Sequence, residues 1–191
     1  MDLLFGIFSA FGLSASAGLN AYIPLLVVAL IARFTNLLQL NKPWDVLTNS
    51  WIIGLLIVLS LIEFFADKIP AVNHVNDIIQ TFIRPAAGAI IFAASAQVIS
   101  GMHPVLSLAA GLLISGSVHA VKAVAVRPAV TATTAGAGNV PVSILEDVLA
   151  AVVSVLSVVV PFVIGAIVVL LVGWLVFLLW RRSKRQSARS F

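Results

Sequence analysis

Apolar residues run through this chain in long tracts that polar residues interrupt at only a few places. The first tract spans Leu3 to Ala32 and is broken in its middle by SASAGLNAYIP. Thirty residues of straight helix would reach about 45 Å, more than the roughly 30 Å hydrocarbon core of a bilayer. Gly18 and Asn20 can end one helical piece, and Asn20 can cap the next, with Pro24 near its first turn. The tract therefore predicts a steeply tilted or discontinuous first span, broken near mid-membrane. A polar loop from Arg33 to Ser50 follows, with Trp44 and Trp51 as interfacial residues.

A second span is expected from Trp51 to Ala66, ending in EFFADKIP. From Ala71 to Ile83 apolar and polar residues mix at near-helical spacing, which predicts a short interfacial helix too polar to cross. Pro85 to Ser100 gives a third span, and the GMHP turn at Gly101 to Pro104 leads to a fourth, Val105 to Val126. Two more, Val142 to Val159 and Phe162 to Trp180, are divided near Pro161. The expected fold is all-α: a polytopic transmembrane bundle of about six spans with interrupted helices. It forms a single membrane domain over 1–180, followed by a basic tail, 181–191.

Composition agrees with this pattern. The chain has 191 residues, 61% hydrophobic and 9% charged, against about 25% charged in a soluble domain. No segment is left over for a soluble catalytic domain. The net charge of +4 sits largely in RRSKRQSAR, so it reports topology and gives no reason to expect a nucleic-acid partner. Without cysteine there is no disulfide, thiolate metal site or thiol nucleophile. The N-terminus carries Asp2 and no early base, so it reads as a retained span, not a cleaved signal. With the N-terminus inside, nine bases (Lys68, Arg84, Lys122, Arg127, Arg181, Arg182, Lys184, Arg185, Arg189) fall on the inner side. Arg33 and Lys42 fall outside, the asymmetry of the positive-inside rule. Both termini are then cytoplasmic, in a multi-pass protein of the cell (inner) membrane.

The stretch HAVKAVAVRPAVTATTAGAGNVPVSILED, His119 to Asp147, collects ionisable groups around a linker of small residues. Such residues are rare in hydrocarbon and mark function by default. His119, Lys122 and Arg127 fall within about 80° of His119's direction on one helix end, and Glu146 and Asp147 open the next span. Glu63 and Asp67, four apart, share a face near the inner end of the second span, with Lys68 beside them. Economy predicts pairing of Lys122 or Arg127 with Glu146 or Asp147, and of Lys68 or Arg84 with Glu63 or Asp67. Ser14 to Pro24 and Thr131 to Pro141 share a run of hydroxyl residues, alanine, glycine, asparagine and proline. This text suggests repeat halves of about 1–84 and 85–180 with paired helix breaks, or merely small residues that let helices pack closely.

The segments SAGLNAYIPLL, EFFADKIPAVNHVNDIIQTFIRPAAGA and the His119–Asp147 stretch resemble the uncharacterised domain-of-unknown-function family 4126. These are small, mostly bacterial integral membrane proteins. The resemblance covers nearly the whole chain and implies a polytopic membrane protein, but it carries over no catalytic role.

The function expected is a small transporter or flippase, working as a homodimer in the lipid bilayer. Its substrate is an unidentified anionic or zwitterionic molecule, with proton or cation coupling. Lys122, Arg127, Thr131, Thr133, Thr134, Asn139 and Asn20 are the candidate substrate ligands. Glu63, Asp67, Lys68, His119, Glu146 and Asp147 are the candidate coupling and ion-pair groups. The alternative is a non-transporting scaffold or assembly protein whose charges form interhelical salt bridges. Enzyme chemistry ranks last: three separated histidines have no metal-ligand spacing, and neither a P-loop nor a serine elbow is present. No cofactor or metal is expected.

Overall fold

A computed structural model describes residues 2–96 and 102–167, with single helical positions at 170, 174, 177 and 181. The described residues are all-α, with seven bounded helices: α1 Asp2–Leu19, α2 Tyr22–Phe34, α3 Ser50–Ala66, α4 Pro70–Ala96, α5 Pro104–Val121, α6 Arg127–Thr134 and α7 Asn139–Val159. Helix resumes at 161–167 after a break at Val160, as Pro161 predicts. Most of the last expected span and the basic tail lie outside the described residues.

Among the described residues, three stretches are long and apolar enough to cross a membrane: Val75–Ser95, Pro104–Thr134 and Asn139–Val159. Leu4–Leu19, Tyr22–Phe34 and Ser50–Ala66 are shorter apolar helices. The polarity of the bundle is reversed relative to a water-soluble protein. Trp51, Phe82, Leu113 and Val124 are well exposed, while Asn20, Glu63, Gln80, Arg84 and a set of serines are buried. An exterior of this kind matches lipid, and an interior of this kind must satisfy its own polar groups. The chain is a multi-pass membrane protein.

The break in the first tract falls where Asn20 predicts it. The Asn20 side-chain oxygen accepts from the backbone N–H groups of Tyr22 and Ile23, at 3.1 and 2.9 Å. A cap of this kind stabilises a helix start by ~1 kcal/mol. What differs from expectation is direction. Helix α1 runs antiparallel to α7, with Phe5 and Phe8 against Phe162 at one end and Asn20 against Asp147 at the other. Helix α2 runs back: Ala21 meets Glu63 near the end of α3, whereas Arg33 donates to the Thr48 carbonyl just before α3 begins. The tract is therefore a hairpin, not one tilted crossing. Its tip lies inside the bundle, and the N-terminus lies at the Arg33 end, opposite the Lys68 end where both termini were expected.

Helix α4 brings the second correction. No separate interfacial helix precedes the third span; Pro70–Ala96 is continuous, with Pro85 inside it. Three polar residues of its first half form a stripe, Asn76, Gln80 and Arg84, four apart and buried, while Val75, Ile78, Ile79 and Phe82 face outward. Polarity that suggested an interface is thus turned inward. At Pro85 the neighbouring Arg84 carbonyl accepts from the Ser115 hydroxyl at 2.8 Å. Close packing of α1, α4 and α5 depends on Gly88 and Gly111. A Cβ at Gly111 would overlap the Gly88 carbonyl, and the Ser14 hydroxyl sits within 3.1 and 2.9 Å of both glycine carbonyls.

The expected flexible linker is the third correction. Helix continues from α5 through a π-helical stretch, Lys122–Val126, into α6 as far as Thr134. The turn itself is short. Ala135 and Gly136 have φ of 50° and 89°, the left-handed region in which an L side chain is strained and glycine is not.

Candidate functional site

Four acids and four bases meet around the hairpin tip. Glu63 and Asp67 come from α3, Glu146 and Asp147 from α7, Lys68 from just past α3, Arg84 from α4, and Lys122 and Arg127 from the continuous α5–α6 helix. Glu63 is thirteen residues past Ser50, so it lies about 20 Å along its helix. That length equals about two thirds of a bilayer core of roughly 30 Å.

Each acid has a basic partner. Arg84 reaches Glu63 at 3.0 Å and Asp67 at 3.5 Å. Lys122 pairs with Glu146 at 2.9 Å and lies 4.0 Å from Asp67. Arg127 stands 3.3 Å from both Asp67 and Glu146. Lys68 pairs with Asp147 at 3.0 Å, donates to the Phe64 carbonyl and lies over the Phe64 ring. The expected pairing holds for Lys122, Arg127 and Arg84. Lys68 instead crosses to Asp147, and Asp67 is shared among three bases.

Local backbone explains how two bases five apart reach the same acids. An α-helical stretch would set Lys122 and Arg127 about 140° apart. In the π turn the Arg127 N–H bonds the Lys122 carbonyl, an i→i+5 closure that takes in one extra residue. Both side chains then point into the bundle, and both are buried.

The hairpin tip is matched to these charges. The α1 C-terminus leaves the Leu19 carbonyl free of helix partners, and the Lys122 ammonium donates to it at 3.1 Å. The α2 N-terminus presents the Ala21 N–H, which donates to the Glu63 carboxylate at 3.1 Å. A cation at the negative helix end and an anion at the positive one is the stabilising arrangement. The Asn20 amide spans both parts, capping α2 with its oxygen and donating from Nδ2 to Asp147 at 2.9 Å.

A model of a domain of unknown function (DUF4126) matches residues 7–182, a span that takes in the hairpin, the whole cluster and the resumed final helix. The chain belongs to the DUF4126 family. No curated protein and no solved structure matches it.

In this DUF4126 protein the remaining sequence candidates divide into two groups. His119 lies at the edge of the cluster: an Arg84 guanidinium N–H faces its Nδ1 at 3.3 Å, and its Nε2 is 3.3 Å from the Thr81 hydroxyl. Arginine only donates, so Nδ1 accepts and Nε2 carries the hydrogen. That hydrogen goes to Thr81, which in turn donates to the Asp77 carbonyl. Thr131, Thr133 and Thr134 are exposed beyond the cluster, and their hydroxyls bond back to the carbonyls of Arg127, Ala129 and Val130. Asn139 pairs with Thr131. The structure does not bring these four to the charges.

Sequence reasoning overlooked Gln80, Asn76 and Ser143 as site residues. Asn76 donates to Asp67 at 2.7 Å, and the Ser143 hydroxyl is 3.4 Å from the same carboxylate. The Gln80 side-chain oxygen is buried without a hydrogen-bond partner among the described residues. The four-residue spacing of Asn76, Gln80 and Arg84 was the available signal. Beside the cluster, an apolar groove of about 450 Å³ runs between α5 and α7, with Lys122 and Glu146 among its lining residues.

Proposed function

We propose that this protein is a small transporter or flippase for an anionic or zwitterionic substrate, with the charge cluster at the hairpin tip as its site. The observation that carries this reading is the helix break at Asn20–Ala21, set deep in the bundle among charges that neutralise one another. Interrupted helices whose termini face charges deep in the membrane are the usual architecture of transporter sites. Non-helical backbone at that depth requires protein or water to satisfy it.

The pairing supports a switching mechanism. Arg127 is equidistant from two carboxylates, and Asp67 lies near three bases. An anionic group would take Lys122 and Arg127 as Glu146 takes up a proton or turns aside. The ammonium of a zwitterion would gain Asp67, the carboxylate that Lys122 and Arg127 give up as they turn to the anionic group. The groove between α5 and α7 gives an amphipathic substrate an apolar approach. By the positive-inside rule the Lys68 end faces the cytoplasm of a cell whose inner membrane holds the protein, and the hairpin opens outward. Dimerisation belongs to the same proposal.

Purified protein in liposomes is expected to move an anionic or zwitterionic solute or lipid. Lys122→Ala and Glu146→Gln should each lower that flux at least tenfold. Unchanged flux in both variants overturns the assignment.

The complete pairing of the acids also favours a scaffold built on interhelical salt bridges. The exchange Lys122→Glu with Glu146→Lys separates the two readings. A scaffold recovers with the swapped pair, whereas a substrate site stays inactive.

A further inference from the structure

At the Arg33 end, a cavity of about 420 Å³ opens between the legs of the hairpin. Ser9 from α1, Asn36, Gln39 and Asn41 from the loop after α2, and Ser95 from α4 supply its polar lining, and none of the lining residues is charged. The Ser95 hydroxyl is 2% exposed and has no partner among the described residues. A buried hydroxyl facing a polar cavity calls for a hydrogen-bonding occupant.

From this cavity a seam leads inward between α1 and α7. Ser9, Gly12, Ser16 and Asn20 recur at helical spacing on one side of α1. Ser157, Ser154 and Asp147 answer them on α7. A Cβ at Gly12 would overlap the Ser157 hydroxyl. The Ser16 and Ser154 hydroxyls are 2.8 Å apart, and Asn20 reaches Asp147 at 2.9 Å. Gly12 leaves no room even for a methyl group, so a solute cannot pass. Ser16 and Asn20 lie about one turn apart on α1, but Ser154 and Asp147 lie two turns apart on α7, so the last step to Asp147 needs more than one bridging water.

The serine pair has a further property. Ser16 is within bonding distance of the Leu13 carbonyl, and Ser154 of the Ala150 carbonyl, at 2.7 and 2.6 Å. Each hydroxyl holds one hydrogen, so linking the pair requires one of them to leave its carbonyl. Either can do so by rotation alone. A relay needs that reversible choice of donor.

We infer that the cavity at the Arg33 end is the mouth of a proton path that follows the α1–α7 seam to Asp147. The inference rests on the proton-coupled transport reading and names the coupling group. A proton on Asp147 weakens its hold on Lys68 and on the Asn20 amide, and Asn20 caps α2. Arrival of the proton is thereby communicated to the hairpin tip. Lys68 is the base that faces Asp147 directly. Glu146 on the same helix, Asp67 and Glu63 on α3, Arg84 on α4, and His119, Lys122 and Arg127 on α5–α6 complete the surrounding titratable groups, with the Tyr22 phenol of α2 in the field of Glu63 and Arg84.

The absence of cysteine makes the mouth directly testable. In proteoliposomes of the full chain, Ser95→Cys should react with a membrane-impermeant methanethiosulfonate from the side on which Asn36→Cys reacts. An unreactive Ser95→Cys beside a reactive Asn36→Cys overturns the mouth. The path is read by infrared detection of the protonated Asp147 carboxyl, assigned by its loss in Asp147→Asn, after acidifying one side at a time. Protonation should follow the Arg33 side, slow at least tenfold in Ser154→Ala or Ser16→Ala, and recover in Ser154→Thr. A band that never forms, that follows the opposite side, or that keeps its rate in both alanine variants overturns the path. Neither arm reads substrate flux, so failure of the transport proposal is separable from failure of this one.

Discussion

Two stretches of this chain are nearly alike in text and opposite in situation. Ser14–Pro24 and Thr131–Pro141 each combine hydroxyl residues, glycine, asparagine and proline, and each joins two antiparallel helices. The first places Asn20 fully buried between Asp147 and the start of α2. The second ends in an exposed turn whose threonine hydroxyls bond their own helix. Composition alone does not separate them. The difference is what stands opposite: Glu63, Asp147 and Lys122 surround the first tip, while the second projects past the charges. Small polar residues permit a break, and only charged neighbours make the break a site.

That contrast can be broken or sharpened by substitution, beginning with the charges themselves. Arg84→Leu strands the buried Glu63 carboxylate and should destabilise the protein by ~3–5 kcal/mol. Adding Glu63→Gln should return much of the loss, and thermal unfolding in detergent reads both changes. Next in size, Asn20→Ala removes a cap and a partner of Asp147 and should cost ~1–3 kcal/mol. Its textual counterpart Asn139→Ala should stay within about 0.5 kcal/mol, as expected of a surface position. Comparable losses at the two asparagines would erase the distinction. At the exposed turn, Gly136→Ala forces an L side chain into a left-handed conformation and should cost about 1 kcal/mol without altering transport. Smallest of all, Thr133→Ala should leave both melting temperature and flux within error.

Much of this was legible from residues. Asn20 with Gly18 and Pro24 marked the first break because capping chemistry is local, and the pairing of Arg84 with Glu63 is among those expected of Lys68 or Arg84 with Glu63 or Asp67 from the cost of lone charges. Three features were not legible, each for a physical reason. A helix break states where hydrogen bonding stops but not where the chain goes next, so the hairpin read as one tilted or discontinuous span. Asn76 and Gln80 looked interfacial because the carboxylate that Asn76 meets, Asp67, stands at the end of another helix. The π stretch has no residue signature; KAVAV reads as ordinary helix, and only the inward convergence of Lys122 and Arg127 reveals it.

The Asn20–Asp147 bond has a consequence for biogenesis. Its two ends are separated by 127 residues, and Lys122 meets the Leu19 carbonyl across 103. Helices α1 and α2 therefore leave the ribosome with a polar tip whose partners Lys122 and Asp147 have not yet been synthesised. Helix α2, thirteen residues long, reaches only about 20 Å and cannot cross by itself. The N-terminal segment must wait at the membrane surface, or half-inserted, until α7 arrives. The hairpin, made before α7, then completes its contacts only after α7 is in place.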